Sequence, residues 1–272
     1  TRTGGAQVLP SIAVASAGSF GVTFGTEAGE GGIHAQRFNS NGTKAGPEVQ
    51  VSQFGVRNQD EPEIARSSNG NYVVVWNDVV RDDDVSSAIY AQVFDVNNNP
   101  ISGEIKVNEI SDRDQINPAV SIDDQGRFVV VWTSLELDAE DNPAATIRGR
   151  QFAANGAPLT SEFQISDDQV FAESLADVDV DPVSGRWVAV WGDPQGQDVS
   201  FGDVEIRSKV FDANSVPQTG EFTALTSASV NGLFNAQPRV AVAPSGEFSV
   251  VANSVVTVDG GFFIFLYLNT YA

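Results

Sequence analysis

The apolar positions along the chain form a pattern that occurs five times. In each copy a glycine is followed two residues later by an aromatic residue, and then by a run rich in β-branched residues. Successive copies start 52, 56, 59 and 61 residues apart, and no helical period is visible between them. A long repeat built from short apolar runs and frequent turn residues predicts a repeated β-sheet unit. The copies begin at Gly18, Gly70, Gly126, Gly185 and Gly246.

Each copy divides into four predicted strands. The first strand follows a proline, which Ala176 replaces in the fourth copy, and the second strand follows the glycine–aromatic step. The third strand ends in Phe in four copies, and the fourth begins after a Glu. Second strands such as 73–76 are apolar on both faces, which is typical of a strand covered on both sides. The pattern predicts an all-β fold, a five-bladed β-propeller with four antiparallel strands per blade. A linear β-solenoid is the alternative, but its repeats are usually much shorter.

The repeat also predicts the domain organisation. We expect one propeller domain over residues 1–272, because all-β propellers of this length often form a single unit. The fifth copy ends without a fourth strand, and segment 5–9 lies just before the first proline, where a fourth strand belongs. We therefore expect this N-terminal strand to close the last blade, since an open ring exposes strand edges. A fragment of a longer array is the alternative. The expected blades are 10–54, 62–109, 118–166, 176–226, and 238–272 together with 5–9.

The composition narrows the range of partners. The chain has 36 Asp and Glu against 15 Lys and Arg, a formal net charge of −21. Nucleic acid is excluded as a partner because its phosphates would be repelled, and anionic membranes are disfavoured for the same reason. There is no Cys, so disulfides and cysteine-based zinc sites are excluded. No apolar run is long enough to insert in a bilayer. The acidic, Cys-free, Asn- and Gly-rich composition favours a secreted, extracellular or cell-surface bacterial protein.

The connections between the second and third strands, and those between successive copies, are long and acidic. In a propeller these connections emerge on one face, and long loops on a rigid scaffold commonly carry binding sites. Carboxylates in such loops suit Ca²⁺, which prefers oxygen ligands. No EF-hand spacing is present, and a solvated acidic rim is the alternative to a metal site. The candidate calcium ligands are Asp82, Asp83, Asp84, Asp138, Glu140 and Asp141.

A second candidate site follows from the first strand of each copy. One residue after the proline position the copies carry Ser11, Glu63, Ala119, Asp177 and Arg239. First strands line the channel of a propeller, so these side chains would converge near one channel mouth. Paired carboxylates are what glycosidic-bond cleavage needs, which makes Glu63 and Asp177 candidate catalytic residues with Arg239 beside them. A structural pairing of Arg239 with either carboxylate is the alternative. The candidate ligand-binding residues are Glu63, Asp177, Asp179 and Arg239.

The tryptophans and the single histidine favour structural roles. Trp76, Trp132 and Trp191 share one repeat position, so we expect them in the core rather than stacked on a sugar. Trp187 occupies the repeated aromatic position and is expected in the core as well. His34 lies mid-strand, without the motifs of a nucleophile–histidine site, and is expected on an exposed sheet surface.

The units Phe128–Trp132, Ile89–Phe94 and Asp114–Pro118 resemble a repeat of large secreted bacterial proteins. Those proteins are often surface-attached or adhesin-like, with propeller repeats near calcium-binding modules. The resemblance covers nearly the whole chain and implies the propeller fold, but it carries no catalytic residues over to this sequence.

Taken with the acidic loops, the resemblance implies a non-enzymatic extracellular interaction module. It would bind a protein or glycan partner through the loop-rich face, with Ca²⁺ as a candidate cofactor. Two alternatives remain open from the residues. One is a carbohydrate-active enzyme of the glycoside hydrolase type that uses the channel-mouth carboxylates. The other is a structural subunit of a larger surface assembly.

Overall fold

The computed structural model describes residues 7–26, 32–53, 59–79, 86–170, 175–194, 204–226, 234–258 and 261–271. All regular structure in these segments is β-strand. They contain no helix long and apolar enough to cross a membrane. The chain divides into two compact units, and the assignment of 1–272 to one domain stays a prediction. The first unit comprises Thr1–Val130 and Arg150–Glu162, and the second comprises Val131–Gly149 and Phe163–Ala272.

Four of the five copies form the predicted sheet of four antiparallel strands, in chain order from one edge to the other. The first sheet contains β1 (Gln7–Val14), β2 (Phe20–Thr26), β3 (Gly32–Phe38) and β4 (Val49–Gln50). The second contains β5 (Gln59–Arg66), β6 (Tyr72–Asp78), β7 (Ala88–Phe94) and β8 (Ile105–Lys106). The third contains β9 (Gln115–Ile122), β10 (Phe128–Leu137), β11 (Pro143–Phe152) and β12 (Phe163–Gln164). The fourth contains β13 (Ala176–Val180), β14 (Trp187–Pro194), β15 (Val204–Phe211) and β16 (Phe222–Thr226).

The fifth copy forms a sheet of three strands among the described residues. These are β17 (Phe234–Val242), β18 (Phe248–Val258) and β19 (Gly261–Tyr271). The apolar stretch 262–268 is part of β19.

An aromatic pair holds together the central hairpin of four sheets. The aromatic residue after the glycine stacks face to face on the Phe that ends the third strand. Ring centroids are 4.8, 5.0, 4.9 and 3.9 Å apart in the first to fourth sheets. Such a pair contributes about 0.5–1.5 kcal/mol beyond the apolar area it buries, and it aligns the two strands. The pairs are Phe20–Phe38, Tyr72–Phe94, Phe128–Phe152 and Trp187–Phe211.

The tryptophans are core residues, as predicted. All four side chains have 0% exposure, so none offers a ring face to a sugar. The strands that carry Trp76, Trp132 and Trp191 are buried on both faces over most of their length. The two apolar faces read from the sequence therefore correspond to strands covered on both sides.

The expected closure of the last sheet by segment 5–9 is wrong for the residues that the structure describes. Gln7 and Val8 pair with Thr26 and Gly25 of β2, so they extend the first sheet. A register shift just before Ser11 lets the strand continue past the proline instead of ending there. A proline at a bulge interrupts the ladder without terminating the strand.

Two predicted long loops are strands. Residues 133–146 form the far ends of β10 and β11, joined by a turn in which the Asp138 N–H donates to the Asn142 carbonyl over 2.9 Å. Residues 253–258 belong to β18 and Gly261 begins β19, with Val258 opposite Gly261. Polar residues suggested a loop at 133–146, but Thr133 and Thr146 are buried, and the Thr146 hydroxyl donates to Glu136 over 2.7 Å. A buried polar residue whose hydrogen bonds are made fits a strand.

The repeated Glu before the fourth strand joins neighbouring sheets. In three copies its carboxylate accepts a backbone N–H from the chain just after the fourth strand of the preceding sheet. A carboxylate is a stronger acceptor than a neutral oxygen, and solvent weakens the contact at these exposed positions. This contact explains why the repeat carries a Glu before the fourth strand. The pairs are Gln53 with Glu104 at 2.6 Å, Glu109 with Glu162 at 2.6 Å, and Asp167 with Glu221 at 2.8 Å.

The glycines of the two Asn-Gly turns differ in how closely other atoms surround them. Gly42 and Gly156 have φ values of 81° and 83°, so alanine is strained at both. A Cβ on Gly42 would meet nothing within 4 Å, whereas one on Gly156 would meet Ser102 Cβ at 3.1 Å and overlap Ile105. We expect Gly42→Ala to cost about 1 kcal/mol of unfolding free energy, and Gly156→Ala to cost about 1–3 kcal/mol more. Urea unfolding of both variants measures the difference, and equal losses would contradict the close contact.

Candidate functional site

The first strands bulge at the residue before proline. Leu9, Glu61 and Asn117 each precede a proline and have φ values of 49°, 51° and 54°. The register of β1 and of β5 shifts at this step. Non-glycine residues rarely adopt this left-handed conformation, and such strain is concentrated at functional sites. The bulge recurs in three sheets and is part of the repeat, and in the second sheet the residue at this position is a glutamate.

Glu61 is held by the neighbouring sheet of the same unit. Its Oε2 accepts the backbone N–H of Asn117 over 2.7 Å, and the Asn77 side chain also hydrogen-bonds to it. Asn77 is buried, and its Nδ2 donates to the Gln115 carbonyl over 3.1 Å, which fixes the amide. Burial is the main cause that raises the pKa of Glu61, and the charge of Asp60 adds to it against these hydrogen bonds. A carboxyl with a raised pKa retains a proton closer to neutral pH, as a general acid requires.

Glu61 is not among the residues predicted from the sequence, which pointed to Glu63, two residues further along β5. The sequence feature that could have identified Glu61 is its position directly before the repeated proline, where the chain bulges. Glu63 itself contacts the first sheet, because the Ser11 hydroxyl donates to its Oε2 over 2.5 Å. Glu63 belongs to the first unit, whereas Asp177 and Arg239 belong to the second. The convergence of Glu63, Asp177 and Arg239 near one channel mouth stays a prediction.

The two acids of β13 contact the first strand of the fifth sheet. The Asp177 and Asp179 carboxylates accept the backbone N–H groups of Val240 and Val242, each over 2.8 Å. Arg239 Nη1 lies 3.8 Å from Asp177 Oδ1, and the Arg239 side chain is 60% exposed. Burial raises the pKa of Asp177 to about 6, although the Arg239 charge opposes the shift. These contacts support the structural pairing considered for Arg239, and the ligand-binding role of the group stays a prediction.

A further acidic group in the fourth sheet surrounds Arg207. Its Nε lies 2.8 Å from Glu221, and its Nη1 lies 3.1 Å from Glu205. Burial raises the pKa of nearby Asp193 to about 6, and the negative charge of Glu221 adds to the shift. Asp193 therefore holds its proton to a higher pH than an exposed aspartate does.

The calcium candidates remain untested predictions. Asp82, Asp83 and Asp84 lie outside the described residues. Asp138 Oδ1 accepts the backbone N–H groups of Glu140 and Asn142 over 2.9 and 2.8 Å, which closes the β10–β11 turn. Within the part of the chain that the structure describes, no group of three or more His, Cys, Asp or Glu could hold a metal ion. The carboxylate of Asp138 therefore has a structural use there, whereas Glu140 and Asp141 are the remaining candidates of that turn.

The expectation that His34 is exposed is wrong. Its side chain is 2% exposed, stacks on Phe24 at 5.9 Å between ring centroids, and lies 3.6 Å from a Glu48 oxygen. His34 stands four residues before the Phe that ends the third strand, and it faces the repeated Glu of its sheet, Glu48. Arg207 holds the same repeat position in the fourth sheet, where it pairs with Glu221.

Solved structures with a similar fold are enzymes by name. No family model matches the sequence, and no curated protein matches it. An endo-arabinase from Bacteroides thetaiotaomicron is 12% identical with a TM-score of 0.52, over 97% of this chain and 94% of that chain. An alpha-L-arabinanase from Penicillium chrysogenum is 10% identical with a TM-score of 0.58, over 96% and 76%. An ulvan lyase is 13% identical with a TM-score of 0.55, over 97% and 63%.

At these identities the similarity shows the fold. The neighbours are arabinanases and a polysaccharide lyase, and they contradict the expectation of a non-enzymatic interaction module. The expectation that the chain is not an enzyme is contradicted with it. The comparison favours the enzyme alternative that the channel-mouth carboxylates suggested.

The raised pKa of Asp177 predicts how stability depends on pH. The folded pKa of about 6 lies above the ordinary 3.8, so the folded state binds more protons between these values. Stability should therefore fall as the pH rises from about 4 to about 6. Asp177→Asn keeps an acceptor for the Val240 N–H but cannot ionise. Across this window we expect the wild type to lose roughly 2–3 kcal/mol relative to the variant, measured by urea unfolding. The exposed Asp112→Asn serves as the control and should follow the wild type. A constant difference between wild type and Asp177→Asn would contradict the buried, raised carboxyl.

Proposed function

We propose that this chain is a carbohydrate-active enzyme that cleaves glycosidic bonds, built on a five-bladed propeller whose blades are the five sheets. The fold likeness to two arabinanases and a polysaccharide lyase supports the class. Within the first unit β1 lies beside β5 and β5 beside β9, and within the second unit β13 lies beside β17. First strands that neighbour one another in this way suit blades arranged around an axis.

The observation that carries the proposal is the burial of the Glu61 carboxyl, which raises its pKa. Glycosidic-bond cleavage needs a carboxyl that delivers a proton to the leaving oxygen, and a second carboxylate on the other side of the bond. Glu61 lies on a strained bulge, and burial raises its pKa, so it fits the proton donor. Glu63, on the same strand, is the candidate for the second carboxylate. Asp177 remains the alternative partner from the sequence analysis.

The charge of the first strands bears on the substrate. Among the described first strands, β5 and β13 carry five acids, and the exposed cation is Arg239 beside Asp177. Together with a net charge of −21, this would repel sulfated or uronate polymers and leave neutral polysaccharides as the favoured substrates. Carboxylates and the neighbouring amides accept and donate hydrogen bonds to sugar hydroxyls. A secreted, extracellular location belongs to the proposal, since polysaccharides are substrates outside the cell.

The proposal predicts the effect of neutralising Glu61. We expect the wild type to release new ends from a panel of polysaccharides that starts with arabinan. Glu61→Gln should lower kcat at least about 10²-fold, because it removes the proton donor while keeping the shape and the acceptor for Asn117. The melting temperature should change little. Reducing-end and unsaturated-end assays together distinguish hydrolysis from elimination.

Two variants complete the experiment. Glu63→Gln should also lose turnover, whereas Glu140→Gln, in the exposed β10–β11 turn, should keep it. If no polysaccharide is cleaved, the proposed enzyme class is overturned. If Glu61→Gln retains wild-type turnover, the assignment of Glu61 is overturned.

A further inference from the structure

Two arginines of the first unit lie together at the end of the sheets that carries the short turns. Arg37 lies near the end of β3 and Arg66 ends β5. Both guanidinium groups lie beside Val96. Arg37 Nη1 donates to its carbonyl, and a Cβ on Gly70 would lie 2.9 Å from Val96 Cγ2 and 3.2 Å from Arg66 Nη2. Burial lowers the pKa of Arg66, and the positive charge of Arg37 lowers it further. Both charges also act on the buried Tyr72 hydroxyl, whose pKa they lower against the larger effect of burial. The two cations and the phenol therefore converge on one place.

The guanidinium groups keep donors that the described part of the protein does not use. Arg37 Nη1 donates to the Val96 carbonyl. Arg37 Nε and the Nε and Nη1 atoms of Arg66 are buried and have no hydrogen-bond partner among the described residues. Unmade hydrogen bonds of buried charged groups are costly, and two adjacent like charges add repulsion. The pair is therefore incomplete as it stands.

Asp95 is a neighbouring acid, and the charge of Arg37 helps to lower its pKa. The hydrogen bonds of the Asp95 oxygens, however, come from the Asn97 and Asn99 backbone N–H groups over 2.7 and 2.8 Å and from the Asn99 amide over 2.7 Å. The Tyr72 hydroxyl donates to Asn98 Oδ1 over 3.0 Å.

Other arginines of the chain contrast with this pair. Arg127 lies 2.7 Å from Asp123, and Arg150 lies 2.6 Å from Glu109. In a chain with 36 acids and 15 bases, two adjacent arginines that have no carboxylate contact within the described segments are unexpected. Two such cations side by side favour the binding of an anion from solution.

Two turn glycines pack against the outer ends of the guanidinium groups. A Cβ on Gly46 would lie 3.5 Å from Arg37 Nη2, and one on Gly70 would lie 3.2 Å from Arg66 Nη2. Both glycines have positive φ, 110° and 89°, which side chains disfavour. The Nη2 ends of both arginines therefore lie against bare backbone turns.

We propose that Arg37 and Arg66 form a binding site for a tetrahedral oxyanion of the sulfate or phosphate class, either free or carried by a larger ligand. A guanidinium group presents a planar set of donors that matches such oxygens, and a doubly charged anion balances two cations. This site lies at the turn ends of the first two sheets and is independent of Glu61 and of the proposed enzymatic activity.

The test uses inorganic sulfate and inorganic phosphate on the full chain, in titrations at constant ionic strength with chloride as the replaced ion. Sulfate stabilises many proteins without a site, so the readout is the difference between the wild type and variants. We expect a saturable rise in melting temperature, and a calorimetric binding isotherm, in the wild type. Arg37→Gln and Arg66→Gln should each weaken binding by about tenfold or more. Arg127→Gln, which removes a paired arginine, should bind as the wild type does.

A second readout remains informative even without the anion. In chloride at low ionic strength, removing one of two repelling charges should leave Arg66→Gln at least as stable as the wild type. Equal sulfate and phosphate responses in the wild type and both variants, or no saturable binding in the wild type, would overturn the site. Acetate should bind more weakly than either tetrahedral anion, and equal binding of acetate would overturn the assigned class.

Discussion

Carboxylates that accept backbone N–H groups of a neighbouring sheet are the interaction on which this structure depends. Adjacent sheets do not share a strand ladder at these places, so backbone N–H groups near the sheet edges need other acceptors. Glu104, Glu162 and Glu221 supply them after the fourth strands. Asp177 and Glu61 supply them at the first strands. Part of the large acidic excess is therefore structural, because a carboxylate is a strong acceptor that makes up for a missing strand partner.

The same interaction prepares the candidate site. A carboxylate that reaches a neighbouring sheet leaves water, and burial raises its pKa, as seen for Glu61 and Asp177. The hydrogen bonds it accepts oppose the shift without cancelling it. The same buried carboxyl groups therefore hold neighbouring sheets together and have raised pKa values. An acid of this kind can be both a structural contact and a proton donor.

The functional conclusion changed once the fold was known. Acidic loops and a repeat of adhesin-like proteins favoured binding without catalysis, because the sequence showed clustered acids and no recognisable catalytic motif. The described acids of the β10–β11 turn proved to include one that closes the turn, Asp138. The fold, in turn, is similar to that of polysaccharide-cleaving enzymes. The acids that matter for the proposal lie on first strands, where the sequence analysis sought the enzyme alternative and named Glu63 but not Glu61.

The sequence by itself determined the sheets, since strand length, turn glycines and the aromatic pairs are local and recur in each copy. Stacked pairs such as Tyr72–Phe94 need only that two strands of one hairpin align, so the repeat was sufficient to place them. Only the tertiary structure decided the roles of single polar residues. Glu61, His34 and the Arg37–Arg66 pair acquire their burial and their partners from a neighbouring strand or sheet. Burial and charge at such positions depend on distances between segments far apart in the chain, and no local pattern encodes those distances.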